Sequence, residues 1–216
     1  MRLGGLRVTS RKRFGFRRHF AVEPWSKNVE VYWGSRFQLV VTPTNCNEVC
    51  LSFFTRDLRM RIEQGLAEFP ELSARVKNAE CLSTEQGTVI GLSSTWQVVD
   101  RRVALVGDAS CSVDGIAGHG LSLGLQQALA LGDALAREDL SLYRAEHHRI
   151  TKLPLRMTRL LLLMDFSTWI RRKALKLFEI QPEIFAKIIS VHTSRPQEQP
   201  FCAGDLLDLS WRVLAA

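Results

Sequence analysis

The sequence predicts an α+β protein, and three features of its 216 residues carry that prediction. Apolar and polar residues alternate with period two in the first part of the chain, which is typical of half-buried strands in an antiparallel sheet. An uninterrupted apolar run, Val103–Val106, indicates a strand buried on both faces. From Gly118 onward the pattern is helical. We therefore divide the chain into a sheet with short helices (1–99), a strand-loop-helix segment (100–138) and a helical tail (139–216).

The sheet begins with a strand from Phe14 to Val22, whose apolar side is interrupted only by Arg18. We interpret Arg18 as a side chain that reaches the sheet edge, rather than as a cation aimed into a pocket. Gly34-Ser35 fits a two-residue hairpin turn with glycine first. Such a sheet has one apolar face and needs a second layer to cover it. Further strands are expected at Val29–Trp33, Phe37–Val41, Val49–Phe53 and within Thr88–Val99.

Short helices are expected between these strands. Leu58, Ile62, Leu66 and Phe69 recur at helical spacing, and Pro70 should end that helix and begin a second one.

The segment after the sheet combines the apolar run with a glycine-rich helix. A non-alternating strand at Val103–Val106 resembles the buried strands of parallel sheets. The helix expected from Gly118 to Ala136 has a ridge of small residues at every fourth position, namely Gly120, Gly124, Ala128 and Gly132. Glycine inside a helix costs about 0.5–1 kcal/mol relative to alanine. We therefore expect another backbone or a flat ligand to approach this ridge closely.

The tail is predicted to be helical after Asp139, with a kink or break at Pro154. Its stretch from Met157 to Lys176 is basic and amphipathic, so contact with an anionic membrane surface is one interpretation. Packing of the tail against the sheet domain is the interpretation that we prefer.

Composition narrows the classes of protein. The hydrophobic content of 46% and the charged content of 24% are those of a globular protein. The net charge of +7 is concentrated near the N-terminus, but no nucleic-acid-binding module accompanies it, so we expect solvated basic faces and no nucleic-acid partner. Without a signal peptide or a long apolar span, the expected location is the cytoplasm. The five cysteines are odd in number and lack a CxxC pair, which predicts free thiols and no zinc site: Cys46, Cys50, Cys81, Cys111 and Cys202.

The residues with chemical meaning follow the apolar run. Gly107-Asp108 ends the predicted strand, and Gly118-His119-Gly120 opens the next helix. Ligands of open α/β sheets bind at the carboxyl ends of strands, where a carboxylate can accept hydrogen bonds from a polyol. The bare amides at a helix start favour negative charge, such as that on the N1–C2=O edge of a reduced flavin.

This arrangement resembles the second flavin motif of the FAD-dependent monooxygenase and geranylgeranyl-reductase-like superfamily: apolar strand, Gly-Asp, loop, Asp-Pro, Gly-x-Gly, helix. The resemblance implies that Asp108 contacts the ribityl chain of FAD. It also implies that the backbone of Gly118 and Gly120 approaches the isoalloxazine ring, with Leu121 beside it. Three further segments resemble the substrate-domain sheet of a bacterial branch of the superfamily: Arg13–Phe20 (RFGFRRHF), Pro24-Trp25 and Val29–Gly34 (VEVYWG).

The sequence departs from the family in three ways. Cys111 stands where many relatives have histidine, and Gly115 stands where they have proline. The Gly-x-Gly-x-x-Gly βαβ unit, which holds the ADP half of FAD in the family, is absent from these residues. The resemblance is therefore to the C-terminal part of such an enzyme, within an α/β FAD-binding fold whose N-terminal FAD-binding half is missing, and we expect weak or no FAD binding by this chain alone.

By the same resemblance, the intact enzyme uses FAD, reduced by NADPH, NADH or another donor. It either hydroxylates a small hydrophobic or aromatic substrate or reduces a double bond in it. No catalytic acid or base can be named.

Two other classes of function stay open. Gly120–Gly124 has the form Gly-x-Ser-x-Gly, which would make Ser122 a hydrolase nucleophile, but such an elbow must follow a strand directly. A non-catalytic remnant or a partner-binding module is the other alternative. His147 and His148 are adjacent and point in different directions on a helix, so we expect no metal site there.

Overall fold

The structure is a computed structural model that describes residues 12–186 and the backbone of Arg7–Val8. The basic residues from Arg2 to Arg11, Cys202 and the tail beyond Ala186 lie outside the described residues, apart from that short stretch of backbone. Helices and antiparallel sheets are both present, so the α+β prediction is confirmed.

The elements follow one another in a simple order. The strands are β1 (Arg7–Val8), β2 (Arg13–Ala21), β3 (Glu30–Trp33), β4 (Phe37–Asn45), β5 (Glu48–Thr55), β6 (Glu80–Cys81), β7 (Gln86–Ile90), β8 (Ser93–Ser94), β9 (Val99–Asp100), β10 (Val103–Ala104) and β11 (Cys111–Ser112). The helices are α1 (Ile62–Leu66), α2 (Pro70–Val76), α3 (Gly120–Ala136), α4 (Leu140–Phe166) and α5 (Thr168–Ile180), and 3₁₀ turns span Gly107–Ala109 and Gly115–Ala117.

The main sheet is antiparallel, in the order β3-β4-β5-β2, with β6 and β7 both paired along the other side of β2. The predicted meander from β3 to β5 is confirmed, while β2 joins beside β5 rather than beside β3. Helices α1 and α2 supply the second layer that the apolar face requires, and Pro70 begins α2 as expected. The core between them contains Phe16, Phe20, Phe37, Leu39, Val41, Val49, Leu51, Phe53, Ile62, Leu66, Leu72 and Val76.

Two details of the sheet refine the predictions. Arg18 is partly buried and forms ion pairs with Glu63 and Glu85, so its charge is compensated by carboxylates rather than offered to a pocket. The hairpin after β3 is closed by Gly34 and Phe37. The turn therefore lies one residue later than expected. Gly34 is needed because a Cβ there would lie 2.3 Å from Cζ of Phe37.

The prediction of a strand buried on both faces at Val103–Val106 is wrong. Only Val103 and Ala104 form a strand, and β10 pairs antiparallel with β9 across a turn at Arg101. Val106 is exposed. An uninterrupted apolar run predicts that strands on both sides and layers on both faces bury it. Within the described residues, however, β9 is the only strand that pairs with β10.

The helices also differ from the prediction at two points. Helix α3 begins at Gly120 rather than Gly118, because Gly118 has a left-handed backbone with φ of 65°. Helix α4 continues through Pro154 to Phe166, so the helix does not break there, while the alternative of a kink at Pro154 stays a prediction. Proline removes one hydrogen-bond donor from the helix, and the turns on either side of it persist. Among the described helices, none has the length and apolar character that crossing a membrane requires.

The chain divides into two compact units. The first contains the described residues up to Gln97 together with Asp108–Gly120, and the second contains Val98–Gly107 and the residues from Leu121 onward. In the second unit, Tyr143 and Val98 lie in a small core with Ala134.

Candidate functional site

The predicted strand end at Gly107 is fastened to helix α3. Gly107 has a left-handed backbone with φ of 58°, and its N–H donates to Oε1 of Gln127 at 2.6 Å. Gln127 is fully buried. A Cβ on Gly124 would lie 3.6 Å from Cα of Gly107. The close backbone approach expected along the glycine ridge therefore occurs at Gly124.

Asp108 presents a free carboxylate directly after this anchored residue. Its side chain is exposed and forms no hydrogen bond or ion pair with another described residue. Cys111 is buried, and burial together with the charge of Asp108 raises the pKa of its thiol to about 11. At neutral pH, Cys111 is therefore a protonated thiol, so it is neither a nucleophile nor a substitute for a titrating histidine.

A buried ion pair holds the loop that follows. Arg13 of β2 donates from its Nη1 to Oδ1 of Asp114 at 2.6 Å, and both side chains are almost wholly inaccessible. The same carboxylate oxygen accepts from the backbone N–H of Ile116, which caps the second 3₁₀ turn. Gln38 of β4 also accepts from Arg13. The sequence alone does not indicate this cluster, because its signal is one arginine whose carboxylate partner lies 101 residues away.

The ring of Phe54 explains why glycine stands at position 115. The backbone of Asp114, with φ of −61° and ψ of 143°, is the conformation that a residue before proline prefers. Gly115 is also the first residue of a 3₁₀ turn. Proline is favoured at the corresponding first position of an α-helix. However, a Cβ at Gly115 would lie 2.7 Å from Cε1 of Phe54. The aromatic ring of β5 thus occupies the space that the proline ring would need.

The remaining predicted residues border open space. A Cβ on Gly118 or on Gly120 would meet no other atom within 4 Å. Leu121, the next residue along the chain, is 80% exposed. Asp108, Gly118, Gly120 and Leu121 therefore all have exposed positions on the segment Gly107–Leu121. Their contact with a flavin stays a prediction.

The serine-hydrolase alternative finds no support in the geometry. Ser122 lies in the first turn of α3, and its hydroxyl accepts from Nε2 of Gln126. His147 is buried beside the ring of Tyr143, and burial together with the neighbouring His148 lowers its pKa to about 4. Neither residue has the setting of a nucleophile or its base.

Comparison with known proteins places the fold. No family model matches the sequence, and no curated protein sequence matches it. Solved structures do match. A flavoprotein/dehydrogenase from Cytophaga hutchinsonii superposes with a TM-score of 0.77 at 13% identity, over 96% of this chain and 56% of that one.

Two further structures give the same result. The flavin-dependent brominase Bmp2 has a TM-score of 0.56 at 20% identity, over 98% of this chain and 52% of its own. The probable FAD-dependent monooxygenase pqsL from Pseudomonas aeruginosa has a TM-score of 0.60 at 22% identity, over 72% of this chain and 49% of its own. The fold is therefore one found in FAD-dependent oxidoreductases. The chain spans about half the length of these structures.

Proposed function

We propose that the protein is the substrate-side part of an FAD-dependent oxidoreductase, of monooxygenase or double-bond reductase type. In this proposal the segment Gly107–Leu121 contacts the flavin. The observation that carries it is one continuous segment with a free carboxylate at Asp108 and open glycine backbone at Gly118 and Gly120. That segment is fastened by Gln127 at its beginning and by Arg13 near its middle.

The residues fit the chemistry of a flavin. The carboxylate of Asp108 accepts hydrogen bonds from ribityl hydroxyls. The amides at the start of α3 favour negative charge at the ring edge through the helix dipole. Glycine at positions 118 and 120 leaves room for a flat ring, since no described atom fills the space that a Cβ would enter. The flavin, when bound, supplies the redox chemistry, and this chain supplies position and electrostatics.

The substrate and electron donor belong to the same proposal and rest on the family resemblance. We expect a small hydrophobic or aromatic molecule, with NADPH or NADH as the reductant. Hydroxylation and double-bond reduction differ in whether the reduced flavin reacts with oxygen. The residues described favour neither reaction.

An exposed leucine stripe on α3 supports the proposal that a separate FAD-binding region packs against this chain. Leu121, Leu125 and Leu129 recur at every fourth position and are 80%, 59% and 73% exposed. Asp133 is the only charged residue of the helix. Exposed apolar surface of this kind marks an interface. We propose that a dinucleotide-binding region outside these 216 residues covers the stripe and holds the ADP half of FAD.

Flavin titration tests the proposal. The purified chain is titrated with riboflavin, FMN and FAD while flavin fluorescence is followed. All three should bind weakly and with similar affinity, because the segment contacts only the ribityl chain and the ring. Replacing Asp108 with alanine should weaken binding roughly tenfold or more, since it removes hydrogen bonds to a charged acceptor.

Asp133→Ala is the matched control, because it removes an exposed carboxylate from α3 outside the segment. Equal affinity of the wild type and Asp108→Ala would refute the role of Asp108. A strong preference for FAD over riboflavin would show that the chain itself holds the ADP half. Absence of flavin binding, even after the missing half is supplied, would favour a non-catalytic remnant.

A further inference from the structure

Helix α5 has one face covered and one face open. Its covered side packs against α4 and contains Ala174 and Leu177. On the open side, Trp169 and Ile180 are 52% and 61% exposed. They are separated by about three helical turns and therefore lie along one line of the helix. Phe166, at the end of α4, is also largely exposed. Large apolar side chains thus mark both ends of the open face.

Basic side chains lie between these apolar positions. Arg172, Lys173 and Lys176 fall between Trp169 and Ile180, and none of the three forms an ion pair with another described residue. Over the longer stretch from 149 to 180 the chain has eight basic residues and two acidic ones. The open face of α5 is therefore both apolar and strongly cationic.

This combination distinguishes α5 from the leucine stripe of α3. The stripe contains no basic residue, so an apolar protein layer can cover it without burying a charge. The same kind of layer over α5 would bury three cations without described partners, which is costly. An anionic lipid surface avoids that cost. Tryptophan and isoleucine enter the boundary of the acyl chains, while lysine and arginine extend to the lipid phosphates.

We propose that α5 docks in the plane of an anionic lipid bilayer. Trp169 and Ile180 are the apolar anchors, and Arg172, Lys173 and Lys176 bind the headgroups. The helix lies on the membrane and does not cross it. This places the second unit of the protein at a membrane surface.

Vesicle co-sedimentation of the full chain tests the proposal. Vesicles of phosphatidylcholine alone are compared with vesicles that also contain phosphatidylserine, at low and high salt. We expect binding only to the anionic vesicles, and its loss at high salt. Each basic residue near such a surface contributes about fivefold. The variant Lys173→Glu/Lys176→Glu should therefore weaken binding by at least about twentyfold.

The matched control is Lys27→Glu/Lys77→Glu, which changes the net charge equally at two exposed lysines of the first unit. It should bind nearly as well as the wild type. Trp169→Ser should weaken binding while keeping its salt dependence. Circular dichroism checks the fold of each variant, and Lys173→Gln/Lys176→Gln replaces the charge reversal if that variant is unfolded.

Three outcomes would overturn the proposal. One is the absence of binding to anionic vesicles. Another is an equal loss of binding in the control variant, which would assign the effect to net charge. The third is unchanged vesicle binding in the Lys173 and Lys176 variants together with loss of association with another polypeptide, which would make the face a protein interface.

Discussion

Replacing Gly115 with proline has two opposing effects on stability. The backbone before position 115 suits proline, whereas the ring of Phe54 fills the space that proline would need. The backbone of Asp114 already suits a following proline. A substitution that fits the native backbone stabilises a protein by about 0.4–1 kcal/mol, because it restricts the unfolded chain. The ring of Phe54 opposes this gain, since a Cβ at position 115 would lie 2.7 Å from its Cε1.

The overlap decides the sign of the effect. Carbon atoms pack best at about 3.5–4.0 Å, so the new Cβ would be about 1 Å too close. Overpacking of this kind costs about 1–3 kcal/mol. Gly115→Pro alone should therefore lower the free energy of unfolding by about 1–2 kcal/mol. Gly115→Ala has the same overlap with less restriction of the unfolded chain, and should be at least as destabilising.

A double-mutant cycle with Phe54→Ala provides the assay. Urea unfolding is measured for the wild type, both single variants and Gly115→Pro/Phe54→Ala. Because the ring is gone in the double variant, proline should cost nothing there, and the coupling should be about 1–3 kcal/mol in favour of the pair. Phe20→Ala supplies the control cycle at a buried phenylalanine nearer the other end of the β2–β5 pairing. Additive effects of Gly115→Pro and Phe54→Ala would refute the explanation.

Three further predictions concern single residues. The pKa of His147 is lowered to about 4 from 6.5, so the unfolded chain binds the extra proton first as the pH falls. This residue should therefore lower the free energy of unfolding by about 2 kcal/mol between pH 7 and pH 5. His147→Gln should reduce the drop by a similar amount, as measured by urea titration at each pH. Equal pH profiles of the wild type and the variant would contradict this. Gly132→Ala should stabilise the protein by about 0.5–1 kcal/mol in thermal unfolding, because its Cβ meets no other atom; destabilisation would show that the site is not open. Cys111 should resist alkylation at pH 8 while the exposed Cys46 and Cys81 react, as read by peptide mass mapping; equal labelling would show that the Cys111 thiol is accessible.

Local pattern was sufficient to predict the elements whose burial is one-sided. Period-two alternation predicted β2, β4 and β5, because each has one face against α1 and α2. Pro70 predicted the boundary between the two short helices. The order of the strands was not predictable in this way, since alternation does not say that β2 pairs with β5. The run at Val103–Val106 misled the prediction, because apolar character indicates burial without naming the layer that provides it.

The candidate site shows the same difference between local and distant information. Asp108, Gly118 and Gly120 could be named as candidates because their motif is contiguous in the sequence, and their contact with a flavin stays a prediction. The groups that hold this motif come from distant positions, and their residue types are unremarkable alone. Arg13 reaches Asp114 only through the folding of β2 beside the loop. The contact of Phe54 with Gly115 likewise depends on the position of β5. The reason why glycine, and not proline, stands at position 115 is therefore visible only in the structure.

A flavin contact at Gly107–Leu121 can be observed directly by recording amide chemical shifts of the labelled chain during titration with FMN. The amides of Asp108, Gly118, Gly120 and Leu121 should shift progressively, while those of β3 stay in place. Shifts confined to another region, such as the groove between α3 and α4 lined by Leu129 and Ile150, would contradict the proposed function.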